Sequence, residues 1–450
     1  MISLQPSTYF RVALQPDFSS SDLAIIRTAV AVLDAGGVSN WGPQAAYQRS
    51  WDAGFTAMGY SHYDQERAMT ELRSLFEGQW RNGLLPHLVF HHWRPGLWLS
   101  EPDPRVWQSE RSPFAPALPT SGIVQPPIHA TMALHLYRHA TDRRTAYDFL
   151  VDLFPRLLAW HHYLYRERDA DQNGLVYIRH PWESGQDDSP LWDDILARIC
   201  VTSDEIHSYQ PADLHYLQRQ PNYSGDHSRG IYLLAQARRH DYDEAALWAE
   251  SPFLVQDVLF NTILVRANRD LAAIARLLKF DPAPFERWAE QTAIAINEVL
   301  WCPELGQYQS YDMVSTTPIA TGAAASFAPL YGQIPNPAQA YQMVKQLMGL
   351  TFHCPTVGTC GVASYGRGAT AFNGNAPWRG AVWLHLNWML HQGLQSYGYG
   401  AEARHLRQAS LILAKQGGLY RHFHSDTGKG LQVNNSAETA ALILDLLLDN

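Results

Sequence analysis

Between His180 and Asp194 the chain reads His-Pro-Trp-Glu-Ser-Gly-Gln-Asp-Asp-Ser-Pro-Leu-Trp-Asp-Asp, and three carboxylates, Glu183, Asp187 and Asp188, fall within six residues. Trp182 and Trp192 flank them, and Gly185 supplies a hinge. A carboxyl group held against indole walls in a dry setting keeps its proton to higher pH, as an acid must if it is to protonate a glycosidic oxygen. The competing reading is a solvated Asp-rich turn that caps the next helix through Asp188 or Ser189.

Further groups near the C-terminus could take a proton from water. Glu438, two residues after Ser436, is either a base or the Glu of a Ser-led helix start. His422 and His424 are also candidates, because imidazole titrates near neutrality. His87, His91 and His92 match neither the HExxH pattern nor a Cys/His finger, so packing or substrate hydrogen bonding is expected of them, and no metal site. Gly358, Gly361, Gly366 and Gly368 lack the flanks of a phosphate loop, and no GxSxG elbow is present, so no cofactor or serine nucleophile is expected.

These groups need a frame. The 450 residues are 46% apolar and 17% charged, enough for one large core. A net charge of −9 without a run of Lys or Arg argues against nucleic acid and anionic membrane surfaces. Aromatic residues, 12% of the chain, suit a pocket lined with flat faces. Cys200, Cys302, Cys354 and Cys360 are too few and too irregular for a disulfide framework and read as buried thiols. The first residues lack the pattern of a leader peptide and no segment is long and apolar enough to span a bilayer, so a soluble, cytoplasmic protein is expected.

Apolar residues recur at three- and four-residue steps in 22–35, 63–77, 128–141, 144–165, 228–239, 257–279, 284–300, 337–349, 378–395, 400–416 and 436–449, with shorter stretches at 51–60 and 191–199. An all-α architecture of antiparallel pairs follows, as a single domain over 1–450 with loop insertions near 79–127, 166–226 and 303–377. Loops of that length on a rigid helical frame are where function is expected.

The segment from His180 to Asp194 resembles the signature of glycoside hydrolase family 63 and its bacterial mannosylglycerate and glucosylglycerate hydrolases. Further matches follow in order: Trp51-Asp52-Ala53-Gly54-Phe55, Pro86 to Phe90, Gln125-Pro126-Pro127, Asp213-Leu214-His215, Phe253 to Asp257 with Leu259-Phe260-Asn261, and Trp378-Arg379-Gly380 with Trp383 and Asn387-Trp388. The resemblance implies an (α/α)6 barrel with long loops as a lid over the site. It further implies an inverting α-glycosidase acting on a small hexosyl glycerate or a short α-linked saccharide, with a small sugar or glycoside as partner and oligomeric state left open. Asp187 takes the place of the general acid. Trp51, Asp52 and Gln125 take those of sugar-binding residues, and Trp378, Arg379 and Trp383 those of the site wall, with Trp182 expected to contact substrate beside the acid. Arg229 lies near a family segment where a guanidinium fork could clamp a substrate carboxylate.

One position departs. The family's base lies in a stretch resembling Gly-Phe-x-Glu-Tyr-Phe, and here, aligned on Thr427-Gly428, that place is held by Arg421. A guanidinium cannot accept a proton, whereas an inverting glycosidase needs a carboxylate about 6.5–9.5 Å from its acid. Either Glu438 or His422 replaces the base, with Arg421 binding substrate, or the protein binds sugar without cleaving it, or it catalyses transfer or internal displacement. Pro377, where relatives often carry an aromatic, alters the aglycone side.

Overall fold

The computed structural model describes residues 18–36, 47–94, 99, 101–218, 227–320, 322–353 and 361–449. Cys354, Cys360 and Gly358 lie outside these. Cys200 and Cys302 are free thiols, Cys200 exposed and Cys302 half-buried, so burial does not hold for Cys200.

Twelve helices of eleven residues or more are found among the described residues: α1 (Ser20–Gly36), α2 (Ser50–Ser61), α3 (Gln65–Glu77), α4 (His129–His139), α5 (Arg143–Glu167), α6 (His227–Arg239), α7 (Val258–Leu277), α8 (Ala283–Ala295), α9 (Pro337–Leu347), α10 (Leu384–Ser396), α11 (Gly400–Gly417) and α12 (Ala437–Leu448). Every residue of α2 except Asp52 is buried, and α12 is buried from Glu438 to Leu447. A helix apolar around its whole circumference belongs inside, whereas α3 and α5 bury one face each. Helix pairs α2–α3, α7–α8 and α10–α11 pack as antiparallel neighbours, and α12 packs on both α1 and α2, closing the ring. This is the expected (α/α)6 barrel. No described helix is long and apolar enough to cross a membrane.

Small polar residues start the helices where expected. Asp64 accepts the Arg67 N–H to begin α3, Asp257 accepts that of Phe260 at 2.8 Å to begin α7, and Ser436 accepts that of Thr439 to begin α12. Each such cap is worth about 1 kcal/mol. The closure is tight: a Cβ on Gly59 of α2 would come within 2.6 Å of the Ala441 Cβ on α12.

Two sequence readings are corrected. The periodic segment 378–395 is helical only from Leu384, because Trp378 (φ 56°) and Gly380 (φ 154°) take left-handed backbone and Val382 bridges to Phe423. The 166–226 insertion is not all loop: Asp193–Ala197 is helical within the expected 191–199 stretch, and Ser203–Ser208 and Pro211–Gln218 are helical as well. The last two are too short to display an apolar period.

Strands are two residues long and serve to anchor loops. Tyr177–Ile178 pairs with Val255–Gln256, and Val255–Gln256 with Tyr311–Asp312, fixing the base of the loop that carries Asp187. His422–Phe423 pairs with Gly430–Leu431, which together with the Val382 bridge sets residues 421–423 beside the Trp378–Trp383 segment.

Candidate active site

A cavity of about 520 Å³ opens at the end of the barrel where α2 and α12 begin. Its walls include Trp51, Asp52, Gln125, Trp182, Asp187, Trp378, Trp383, Arg421 and Glu438, so the structure brings together nine of the residues singled out in the sequence.

The acidic loop sorts its three carboxylates by environment. Glu183 is fully buried and accepts from both terminal nitrogens of Arg168 at 3.1 Å and from the backbone N–H groups of Val124 and Arg179. Its charge is spent on holding the loop. Asp188 is buried at 3.5 Å from Arg379, and Ser189, not Asp188, caps the next short helix. Gly185 takes φ 73° and lies against Pro126, with little room for a Cβ. This turn leaves Asp187 on the cavity wall, where burial raises its carboxyl to about 7. Arg49 and Arg421 pull it downward, while Glu101 and Asp188 push it further up.

The first turns of α2 and α12 supply the other groups. Gln125 Oε1 accepts the Trp51 backbone N–H at 2.9 Å, which fixes both the amide and the start of α2. Ser436 caps α12, which puts Thr439 at the third helical position and leaves Glu438 one short of the place a capping-box glutamate would hold. Glu438 instead accepts from Trp51 Nε1 at 3.3 Å and lies 2.5 Å from His385 Nδ1. Burial opposes its ionisation, but His385, Arg421 and the indole N–H together hold its carboxyl below the usual value.

Arg421 lies 3.5 Å from Asp52 Oδ2, with its guanidinium over the Trp383 ring. Trp383 stacks on Trp378 with ring centres 4.4 Å apart and planes 8° from parallel, forming one aromatic wall. Trp378 holds its place in that wall with a left-handed backbone, φ 56°.

Four expected residues fall elsewhere. Arg229 and Arg379 do not line the main cavity. They border a neighbouring cleft of about 280 Å³ that shares Trp182, Asp187 and Asp188 with it. Arg229 donates to the Ile199 carbonyl at 3.2 Å, and Arg379 pairs with Asp193 and Asp188. His422 is fully buried beneath Trp383, ring centres 4.9 Å apart, and its burial takes it to about 4. Strand alternation turns it away from the cavity as it turns Arg421 toward it. His424 is engaged in its own turn, accepting the Asp426 N–H at 3.0 Å.

Some wall residues escaped the sequence reading. Arg49, paired with Glu101, is one of them; His87, expected there to pack or to hydrogen-bond substrate, is buried in the wall beside Arg49, well below the usual imidazole range. His385 lies in contact with Trp51, Trp378 and Trp383. A histidine in the first turn of a helix as apolar as α10 was the available signal for it.

A glycosidase of the (α/α)6 type is the class that this fold and this cavity define, with two carboxylates of opposed proton affinity among aromatic rings. Residues 45–438 match the model of the mannosylglycerate hydrolase MGH1-like glycoside hydrolase domain. The chain belongs to that family of glycoside hydrolases, within family 63. It is 43% identical over 431 residues to a mannosylglycerate hydrolase of Rubrobacter radiotolerans, covering 94% of this chain and 97% of the relative. A glucosylglycerate hydrolase of Mycolicibacterium hassiacum is 32% identical, covering 88% and 91%. The crystal structure of the family 63 mannosylglycerate hydrolase from Thermus thermophilus in complex with Tris and D-glycerate superposes with a TM-score of 0.83 at 36% identity, covering 93% of this chain and 99% of that one.

Proposed function

We propose that this enzyme hydrolyses a hexosyl glycerate, an α-linked sugar on a small carboxylated aglycone, with inversion of configuration. The observation that carries the reading is the pairing of Asp187, raised to about 7, with Glu438, held low, on the walls of one cavity. Two carboxyl groups whose surroundings drive their proton affinities apart divide the roles of acid and base between them. Asp187 protonates the departing oxygen. Glu438, ionised at the N-terminus of α12, takes a proton from the water that attacks the anomeric carbon.

Asp52 accepts sugar hydroxyls in the deepest subsite against Trp51, and Arg421 orients Asp52 in place of supplying a base. The names of the relatives and the D-glycerate of the Thermus complex support the aglycone, as do Arg49 and Arg421, cations that act on Asp187 from within the cavity wall. Glu438 in that wall favours hydrolysis over a base-deficient sugar binder.

The test is proton NMR of the anomeric region during the first turnovers of α-mannosylglycerate and α-glucosylglycerate. The β-hexose is expected to form first. Initial release of the α-anomer, a product with a new linkage, or binding without turnover would each overturn the proposal.

A further inference from the structure

At the far end of the barrel, away from the cavity, three side chains from three helices converge on one point. His62 caps the C-terminus of α2, His135 lies in α4 and Asp445 in α12. Their potential ligand atoms all fall within 4.8 Å of one another. His62 Nε2 is 3.1 Å from Asp445 Oδ1, and His135 Nε2 is 3.4 Å from the same oxygen. A tetrahedral ion with bonds of about 2.0–2.1 Å sets its ligands about 3.4 Å apart, so both separations match an edge of that tetrahedron.

Hydrogen bonding explains this arrangement only in part. His62 Nε2 donates to Asp445, but His135 Nε2 is buried with no hydrogen-bond partner. The other oxygen of Asp445 accepts from Trp388 Nε1 at 2.6 Å, which orients the carboxylate and leaves Oδ1 toward the two imidazoles. An outer hydrogen bond that aims a ligand in this way is a regular part of metal sites. His139, one turn along α4, stacks on His135 with ring centres 4.0 Å apart and pairs with Asp449 at 3.1 Å. His135, His139 and Asp449 also bring their ligand atoms within 4.8 Å of one another, which marks a route inward from the surface.

We propose that His62, His135 and Asp445 bind a divalent transition-metal ion of the zinc class. Two imidazoles and a carboxylate suit Zn²⁺, Co²⁺ or Ni²⁺ and do not suit Mg²⁺ or Ca²⁺, which take oxygen ligands. The role is structural. α2 carries Trp51 and Asp52 at its other end, about 16 Å away along the helix axis, and α12 carries Glu438 two turns before Asp445, about 10 Å away. The ion ties together the distal ends of the two helices whose proximal ends form the sugar subsite and the base.

The experiment uses the full chain without a histidine tag, stripped with chelator and titrated with CoCl₂ and then ZnCl₂. One equivalent of Co²⁺ is expected to give the strong visible bands of a tetrahedral centre, displaced by one equivalent of Zn²⁺, with the thermal midpoint rising as Zn²⁺ is added. Asp445→Asn and His135→Gln should weaken binding at least tenfold, and His135→Cys, which keeps a zinc ligand, should retain it. His135 is the more exposed of the ligands, so its variants decide the matter if Asp445→Asn does not fold. Absence of the Co²⁺ bands in the unaltered protein overturns the proposal. So does full binding in the His135→Gln variant, which would assign the ion to other histidines.

Discussion

Glu438 and His385, from the first turns of α12 and α10, meet at 2.5 Å in the cavity wall. The imidazole stabilises the ionised carboxylate, so removing it raises the proton affinity of Glu438. His385→Asn is therefore expected to shift the acid limb of the kcat/KM pH profile upward and to lower kcat more than it raises KM. An unchanged acid limb would assign His385 to packing alone.

The alkaline limb is expected to report Asp187. An acid must be protonated to act, and with a value near 7 it is lost as pH rises through that value, giving a bell with Glu438 on the acid side. Asp187→Asn should cost about 10²–10⁴-fold in kcat and remove the alkaline limb from whatever activity remains. Stability follows pH in the same direction. A carboxyl raised by burial contributes stability below its unfolded value of about 4, and this is lost as pH rises through about 7. Asp187→Asn should thus unfold at a higher temperature than the parent at pH 8, with the difference shrinking toward pH 5.

Arg421 separates two accounts of the base. If position 421 supplied it, Arg421→Glu would raise activity. The contact with Asp52 predicts the reverse: a higher KM in Arg421→Glu through charge repulsion, while Glu438→Gln lowers kcat about 10²–10⁴-fold. Steady-state kinetics on the two variants decides between them.

Glu183 stands close to Asp187 in sequence but is expected to behave differently. Its charge is matched by Arg168, which also pairs with Glu244. Glu183→Gln leaves a buried guanidinium short of a partner and should cost about 3–5 kcal/mol in a denaturant titration. A small loss of stability with a new pH dependence of kcat would contradict this.

Much of the site was legible because its groups lie in short, distinctive runs. Trp51-Asp52, Asp187 and Trp378 stand in short runs that resemble family 63, and the apolar period gave the helices of the barrel. What the sequence left open depended on contacts between distant elements. Glu438 read as base or helix start, and its contacts with Trp51 and His385 come from distant elements. Arg229 and Arg379 face the cleft on the other side of the Trp182 and Asp187 loop, a direction that no local pattern encodes. His422 differed from Arg421 by one residue of strand alternation, enough to move it from wall to core.

The fit of Gly59 against Ala441 gives a test of the closure. Gly59→Ala should lower the thermal midpoint, since overpacking costs about 1–3 kcal/mol against about 1 kcal/mol returned by helix propensity. Adding Ala441→Gly should recover part of the loss, and strictly additive effects would show that the two helices do not share this contact.

The bond from Trp51 to Glu438 spans 387 positions of the chain. Synthesis runs from the N-terminus, so Trp51 on α2 emerges long before its partner exists, and the ring stays open until α12 leaves the ribosome. A nascent chain therefore carries an exposed α1–α2 surface until α12 is made. That helix acts as a latch on assembly, and the cavity wall is complete only once it has packed.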